Sequence, residues 1–376
     1  MVIQRAIQQT LQAQLQSNKV ILLTGARRVG KTVLMNQLAD AFDGPTLMLN
    51  GEDLDTATLI NDRRVANYRR WLGDTRLLLI DEAQVIPDVG RSLKLLIDSF
   101  PDLTIFATGS SAFDLTNRTG EPLVGRQFTH TLYPLAQLEL QATETYLQTR
   151  DRLTDRLIFG SYPDVVQMPG VDDRIDYLKG MVSSYMLKDI LLFEQVRNAH
   201  KMLQLLRLIA YQVGSEVSHD ELSRQLQIDR STVVRYLDLF TKVFVLFRLG
   251  GYSNNLRKEV TKSQKWYFFD NGIRNALIND FSLPLQRTDM GALWENYLIA
   301  ERLKRNAYLR SQAIPYFWRT YDRQEIDWVE ETNGQLSAFE MKWNTSPVRF
   351  PKAFQTAYPS ASLTLVNPDT YLDFIT

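Results

Sequence analysis

The chain has 376 residues, of which 44% are hydrophobic and 23% charged, so it is long enough for two or three globular domains. Its 43 basic and 43 acidic residues cancel, which gives the whole chain no net attraction to nucleic acid or to an anionic membrane. It contains no cysteine, which excludes disulfides and thiolate metal sites, and no apolar run of the roughly 18 residues that span a bilayer, so we expect a cytoplasmic protein without membrane contact.

The first predicted element is a strand, a loop and a helix in succession. Residues 20–24 form a short apolar run typical of a buried strand, and residues 33–39 favour a helix. Between them, GARRVGKT at 25–32 fits the phosphate-loop pattern G-x-x-x-x-G-K-[ST] at every fixed position. The alternative is a glycine-rich turn without a ligand, which the strand-to-helix setting disfavours.

In such a loop, backbone N–H groups surround the phosphates of a nucleotide. We expect Lys31 to reach the β- and γ-phosphates and the Thr32 hydroxyl to hold Mg²⁺. Arg27 and Arg28 either touch phosphates or face a neighbouring subunit. The predicted nucleotide contacts are Gly25, Ala26, Arg27, Arg28, Val29, Gly30, Lys31, Thr32 and Val33.

A second strand predicted to lie near the nucleotide ends in two carboxylates. Arg76 is followed by the apolar run 77–80 and then by Asp81 and Glu82, about fifty residues after the phosphate loop. Residues 46–50 predict a further core strand. We expect Asp81 to complete the Mg²⁺ shell and Glu82 to orient or activate the attacking water. A buried strand that ends in a solvated acidic turn is the alternative, and the preceding phosphate loop argues against it.

Small hydroxyl residues end the next apolar run, at 103–111. Ligands of open parallel sheets bind at the carboxyl ends of the strands, so Thr108 or Ser110 is a candidate to contact the γ-phosphate or its water. Capping of a helix by Ser110 or Ser111 is an equally weighted alternative. Arg118 and Arg126 follow and are candidates for the arginine that stabilises phosphoryl transfer, in cis or from a neighbouring copy.

The middle of the chain predicts a helix-turn-helix. Ser218 and Glu221 form a capping-box pattern before a helix, a second helix starts near Arg230, and residues 243–247 predict a wing strand. In a DNA reader, Ser231, Thr232 and Arg235 would face the groove. However, residues 218–240 contain three arginines against four carboxylates, a net charge of minus one, whereas DNA binding depends on cations. A packing module is therefore the alternative.

The last third of the chain contains a group of carboxylates. Glu295 lies on a predicted helix at 291–298, and Asn333-Gly334 predicts a hairpin between strands at 325–329 and 338–343. Alternation within these strands places Asp327 beside Glu340 and puts Lys342 on the same face. The spacing matches the nuclease motif D-x(n)-E-x-K, in which Glu295, Asp327 and Glu340 would bind Mg²⁺ or Mn²⁺ and Lys342 would position water. A cross-strand salt bridge is the alternative.

These blocks together resemble a prokaryotic family of AAA-type ATPases with a C-terminal domain of unknown function. The residues that carry the resemblance are GARRVGKT (25–32), LLLIDEAQ (77–84), ATGSSAF (107–113), LVGRQFTHTLYPLAQLEL (123–140), GSYPDVV (160–166), YFFDNGIRNAL (267–277), GALWENYL (291–298), EIDWV (325–329) and FEMKW (339–343). The resemblance implies an α/β fold that starts with the parallel sheet of a P-loop NTPase. It also places Arg126 at the family's GR position, which favours it over Arg118.

The expected organisation is an AAA+-like core at 1–140, a helical connector at 141–200, a winged helix-turn-helix at 201–262 and an α/β restriction-endonuclease-like domain at 263–376. We predict Mg²⁺-dependent ATP hydrolysis that controls the C-terminal modules, with Lys31, Thr32, Asp81 and Glu82 in the roles given above. Two alternatives are an ATP-regulated enzyme that binds or cuts DNA and an ATP-binding switch that acts on a protein partner. An arginine supplied in trans would require a homo-oligomer.

Overall fold

The computed structural model describes residues 3–110, 123–186, 198–253, 264–344 and 349–376. The chain divides into a first unit, Met1–Pro134 with Lys242–Phe244, and a second unit, Leu135–Thr241 with Val245–Thr376. The first division falls after Pro134, whereas the sequence places the end of the first domain at residue 140. Apart from Lys242–Phe244, the described parts of the segments expected to form three further domains belong to the second unit.

The first unit contains a five-stranded sheet in which all neighbouring strands are parallel. The strand order is β2-β3-β4-β1-β5. β1, β3 and β4 are apolar because they lie in the centre of this sheet, and every residue of β1 and β4 is buried. The strands are β1 (Val20–Thr24), β2 (Thr46–Asn50), β3 (Leu77–Asp81), β4 (Thr104–Gly109) and β5 (Gln127–Thr131). The parallel α/β sheet predicted from the sequence is confirmed.

Helices connect these strands and complete the core of the first unit. Leu93 and Leu96 on one helix and Tyr68 on another pack with strand residues in one buried apolar cluster. The helices are α1 (Gln8–Gln14), α2 (Lys31–Asp40), α3 (Leu54–Asn61), α4 (Val65–Leu72) and α5 (Val89–Ser99). Across the described ranges, no helix is long and apolar enough to cross a membrane.

The second unit begins with helices. They are α6 (Gln137–Leu140), α7 (Tyr146–Asp151), α8 (Leu153–Phe159), α9 (Pro163–Gln167), α10 (Val171–Gly180), α11 (Ala199–Tyr211), α12 (His219–Leu226) and α13 (Arg230–Lys242). The predicted helix-turn-helix corresponds to α12 and α13. Ser218 caps α12 as expected, because its hydroxyl accepts a hydrogen bond from the Glu221 N–H at 3.3 Å.

The wing strand begins later than predicted. It was expected at 243–247, but β6 spans Leu246–Gly250 and pairs antiparallel with β7 (Gln264–Phe268). Phe244 has a φ of 59°, a left-handed conformation that interrupts an extended chain, so the apolar residues before Leu246 belong to a turn. Hydrophobicity alone did not reveal this turn.

A mixed sheet lies in the C-terminal part of the second unit, in the order β11-β10-β9-β8. Asn333 and Gly334 have φ values of 52° and 78°, which is the conformation of a tight hairpin turn and confirms the prediction at this position. The elements are α14 (Asn271–Ile278), α15 (Met290–Tyr308), β8 (Ile314–Arg319), β9 (Glu325–Thr332), β10 (Gln335–Met341), α16 (Lys352–Ala357), β11 (Ser362–Val366) and α17 (Tyr371–Ile375).

Candidate functional site

The phosphate-loop segment lies between β1 and α2, and at two of its positions the structure requires a glycine. Gly30 has a φ of 96°, which a glycine adopts without strain. At Gly25, a Cβ atom would lie 2.1 Å from the carbonyl oxygen of Leu132. A side chain at Gly25 would therefore push the loop away from the residue that follows β5.

The two polar side chains of the loop that were predicted to act on the nucleotide have defined partners. Lys31 is 5% exposed, and its ammonium group donates to the carbonyl oxygens of Gly25 and Ala26 at 2.9 and 3.0 Å. The hydroxyl of Thr32 donates to Asp81 Oδ2 at 2.7 Å. The lysine thus lies across the loop, and the two predicted Mg²⁺ ligands are in direct contact.

Asp81 and Thr108 lie side by side because β3 and β4 are parallel neighbours whose register pairs Ile80 with Ala107. The Thr108 hydroxyl donates to Asp81 Oδ1. The Glu82 N–H lies 3.1 Å from the same Asp81 oxygen and 3.2 Å from Thr108 Oγ1. The carboxyl ends of these strands therefore bring together the residues predicted for Mg²⁺ and the γ-phosphate.

Glu82 has a left-handed backbone, with a φ of 50°. Its carboxylate accepts a hydrogen bond from the side-chain amide of Gln84, which also donates to Ser110 Oγ at 3.2 Å. Gln84 thus connects Glu82 with Ser110. At Gly51, a Cβ atom would lie 2.5 Å from the Glu82 carbonyl oxygen, so a larger residue there would displace Glu82.

The remaining predicted nucleotide contacts differ in exposure. Val29 is fully buried, and Ala26 is 6% exposed. Arg27 is half-buried, and Arg28 is exposed with a φ of 66°. Val33 lies on α2 and is exposed.

Arg126 lies at the opposite end of the sheet from the phosphate loop. It precedes β5, whose first residue pairs with Val20 at the start of β1, so about six residues or roughly 20 Å of strand separate it from Gly25. Its guanidinium forms an ion pair with Asp98 at 2.6 Å. The structure therefore does not bring Arg126 to the phosphate loop of its own chain. Arg118 and Ser111 lie outside the described residues.

The predicted carboxylate pair lies on the β9–β10 hairpin. The register pairs Trp328 with Phe339, which places Asp327 opposite Glu340 on the same face. Asp327 Oδ2 accepts the Met341 N–H at 2.8 Å, and the Lys342 ammonium lies 2.6 Å from Glu340 Oε1. The other carboxylate oxygen of Glu340 is buried and has no hydrogen-bond partner among the described residues.

Glu295, on α15, has partners that the sequence motif does not contain. It accepts a hydrogen bond from the Tyr267 hydroxyl at 2.6 Å and lies 3.3 Å from the ammonium group of Lys265. Lys265 is 2% exposed and also donates to Glu325. Lys265 and Tyr267 both come from β7, so this strand supplies the cation and hydroxyl that face Glu295.

The pKa values of the charged groups in this cluster depend on one another's charges. Burial, and then the charges of Glu295 and Glu340, hold the pKa of Asp327 well above its usual range. Burial also raises the pKa of Glu340, although Lys342 opposes this effect. The charges of Glu295, Glu325 and Asp327 outweigh burial and raise the pKa of Lys265. Among the described residues, no three histidine or carboxylate side chains are placed to hold one metal ion, so the three-carboxylate set predicted from the sequence is not assembled.

Three family models match successive parts of the chain. Residues 17–141 match an AAA domain, residues 150–283 match a domain of unknown function (DUF8612), and residues 290–372 match another domain of unknown function (DUF4143). The AAA match covers the phosphate loop, Asp81 and Glu82. The chain carries an AAA domain with a phosphate loop, and a C-terminal domain of unknown function follows it.

The chain is also similar to two uncharacterized proteins and to one solved structure. The chain is 29% identical to an uncharacterized protein of Mycobacterium tuberculosis over 87% of this chain and 71% of the relative. It is 25% identical to an uncharacterized protein of Haemophilus influenzae over 86% of this chain and 83% of that one. The Walker-type ATPase of Pyrococcus abyssi shares its fold, with a TM-score of 0.51 at 15% identity over 74% of this chain and 96% of that chain.

The family boundaries show that the carboxylate cluster of this AAA-type protein is composite. Lys265 and Tyr267 fall within the DUF8612 match, whereas Glu295, Asp327 and Glu340 fall within the DUF4143 match. The motif D-x(n)-E-x-K gave no reason to include the β7 residues. In the AAA domain, Gln84 was also missed, although an amide two residues after the carboxylate pair was visible in the sequence.

Proposed function

We propose that this AAA-type protein hydrolyses ATP with Mg²⁺ and that its nucleotide state controls the second unit. The observation that carries the proposal is the 2.7 Å contact between the Thr32 hydroxyl and Asp81. Hydroxyl and carboxylate oxygens are hard donors of the kind that Mg²⁺ prefers, so these two side chains fit the ion. When bound, Mg²⁺ would neutralise charge on the phosphate oxygens.

The other residues would divide the remaining tasks. Lys31 would exchange its two carbonyl partners for phosphate oxygens and stabilise their charge. Glu82 would orient the attacking water and accept its proton, once its carboxylate turns from Gln84 towards the nucleotide. Thr108 would hold Asp81 in place, and Ser110 would fix Gln84.

The test is phosphate release from ATP by Lys31→Ala, with Lys94→Ala on the exposed face of α5 as the matched control. We expect Lys31→Ala to lose at least about 99% of the turnover, since phosphate-clamping groups contribute several kcal/mol, and Lys94→Ala to keep it. Melting curves would show that both variants are folded. Unchanged turnover in a folded Lys31→Ala would refute hydrolysis at this site. Turnover slower than minutes in the unaltered chain would favour the ATP-binding switch that acts on a protein partner.

Arg126 lies at the far end of the sheet, so we propose that it acts on the nucleotide of a neighbouring copy. An Arg126→Ala chain keeps its own phosphate loop, whereas a Lys31→Ala chain keeps its arginine. Each variant alone should be slow, and mixing the two should restore part of the turnover. If the mixture is no faster than the sum of its components, Arg126 does not act in trans.

A second candidate function is cleavage of DNA phosphodiesters by the DUF4143 segment. It is favoured by the Asp327–Glu340 pair, because Glu340 presents a buried carboxylate oxygen that a hard cation would satisfy. Lys342 would position the attacking water. Incubation of plasmid DNA with Mn²⁺ should give nicks that Glu340→Gln abolishes. Intact plasmid in both samples, together with no gel shift at low salt, would contradict this function.

A further inference from the structure

Arg5 connects two segments of the first unit that are distant in sequence. It lies before α1 and is 6% exposed. Its Nη1 donates to the carbonyl oxygen of Val29, inside the phosphate loop, at 2.6 Å. Its Nη2 donates to the carbonyl oxygen of Tyr133, two residues after β5, at 2.7 Å. A single guanidinium therefore holds the loop and the segment after β5 together.

Other contacts show that this segment already lies against the loop. The Leu132 N–H donates to the carbonyl oxygen of Thr24, the residue before the loop, at 2.7 Å. A Cβ atom at Gly25 would lie 2.1 Å from the Leu132 carbonyl oxygen. The start of the loop thus touches Leu132, and Arg5 adds a second connection near the end of the loop.

Arg5 carries a positive charge next to the loop, and the helix after it is fixed by burial. Its Nη1 atom lies 3.8 Å from the position that a Cβ atom at Gly30 would occupy, so it places a permanent positive charge beside the predicted anion site. Its own carbonyl oxygen accepts the Gln8 N–H at 3.0 Å at the start of α1. Leu11 on α1 is fully buried, which fixes the helix that carries Arg5.

We propose that Arg5 is a positioning residue of the nucleotide site, which holds the phosphate loop in its anion-binding shape and ties it to Tyr133. Tyr133 is followed by Pro134, after which the chain enters the second unit. Binding of nucleotide to the loop would therefore affect the position of Tyr133, which lies directly before the second unit. This proposal rests on the proposed nucleotide function, and it names Arg5 as the residue that links nucleotide binding to the segment before the second unit.

The test compares Arg5→Met and Arg5→Lys with Arg70→Met, which changes an exposed arginine on α4. Arg5→Met keeps the length of the side chain but removes both hydrogen bonds. We expect the dissociation constant for ATP to rise about tenfold, as for the loss of one or two charge-assisted hydrogen bonds. Maximal turnover should stay within about threefold, because Arg5 contacts the loop and not the reacting atoms. Arg5→Lys, which keeps the charge, should weaken binding less.

Hydrogen exchange at the Leu132 and Tyr133 amides gives a readout that a loss of stability alone would not move. Nucleotide should slow exchange there in the unaltered chain and in Arg70→Met but not in Arg5→Met. A folded Arg5→Met that binds ATP within twofold of the unaltered chain and keeps this protection would overturn the proposal. If Arg5→Met does not fold, Arg5→Gln, which is uncharged and ends in a single amide nitrogen, replaces it in the same comparison, and the same result for that variant would overturn the proposal. If the unaltered chain binds no nucleotide, the proposed function fails as well.

Discussion

Replacement of Lys265 by methionine should destabilise the second unit by about 3 kcal/mol, the lower end of the range for removal of one partner from a buried ion pair. Lys265 is 2% exposed, lies 3.3 Å from Glu295 and donates to Glu325. Its removal takes the ammonium group away from two carboxylates, of which Glu325 keeps an ion pair with Arg319 at 3.5 Å. We take the lower end of the range because the side chains of Glu295 and Glu325 are 18% and 27% exposed, so water still solvates them in part.

Urea unfolding followed by tryptophan fluorescence measures this effect. Five of the six tryptophans lie in the second unit, so the signal reports mainly on that unit. Lys352→Met, at an exposed lysine that begins α16, is the matched control and should stay within about 0.5 kcal/mol of the unaltered chain.

The pH dependence follows from the raised pKa of Lys265. The stability that Lys265 contributes is fully present below the pKa of an unfolded lysine, about 10.4, and is lost as the pH rises through the higher folded value. The loss in Lys265→Met should therefore be constant across the neutral range. Adding Glu295→Gln and Glu325→Gln to Lys265→Met should recover part of it, because both carboxylates that Lys265 contacts are then neutral, while Arg319 loses Glu325 and keeps Glu216. A loss below about 1 kcal/mol, or no recovery in the triple variant, would refute the reasoning.

Two further predictions concern other parts of the molecule. Burial and two neighbouring carboxylates raise the pKa of Asp327, so the folded chain keeps a proton that the unfolded chain releases above its pKa of about 3.9. Stability therefore falls as the pH rises above that value, and Asp327→Asn should raise the melting temperature more at pH 7 than at pH 4; an equal change at both values would contradict this. Gly25→Ala should abolish binding of a fluorescent ATP analogue, because its Cβ would lie 2.1 Å from the Leu132 oxygen. Gly125→Ala, where φ is also positive but the Cβ meets no atom within 4 Å, should cost only about 1 kcal/mol and retain binding.

Local patterns predicted β1 to β4 and the β9–β10 hairpin, because apolar runs and polar ends are properties of adjacent residues. The strands β5, β8 and β11 were not predicted. The same patterns placed Asp81 beside Thr108 once a parallel sheet was assumed. They did not predict Arg5, whose partner Tyr133 is 128 residues away, or Lys265, whose partner Glu325 is 60 residues away. Such contacts depend on how distant segments pack, and a single sequence contains no direct signal for them.

A motif position also did not fix the role of a side chain. Arg126 occupies the position of the family's GR motif. Because β1 and β5 are parallel, Arg126 lies at the amino ends of the strands, whereas the phosphate loop lies at their carboxyl ends. The Asp327–Glu340 pair was predicted because hairpin register is local. The partners of Glu295, Lys265 and Tyr267, come from another segment and were not predicted.

The composite carboxylate cluster bears on how this protein can be dissected and recombined. A fragment that contains only the DUF4143 match, residues 290–372, would lack the Lys265 ammonium and the Tyr267 hydroxyl. Its carboxylates would then lose a cation that partly offsets their mutual repulsion, so inactivity of such a fragment would say nothing about the intact protein. In this chain, the DUF8612 and DUF4143 segments therefore share one polar centre, and a chimera that exchanges either segment should carry β7 together with α15 and the β9–β10 hairpin.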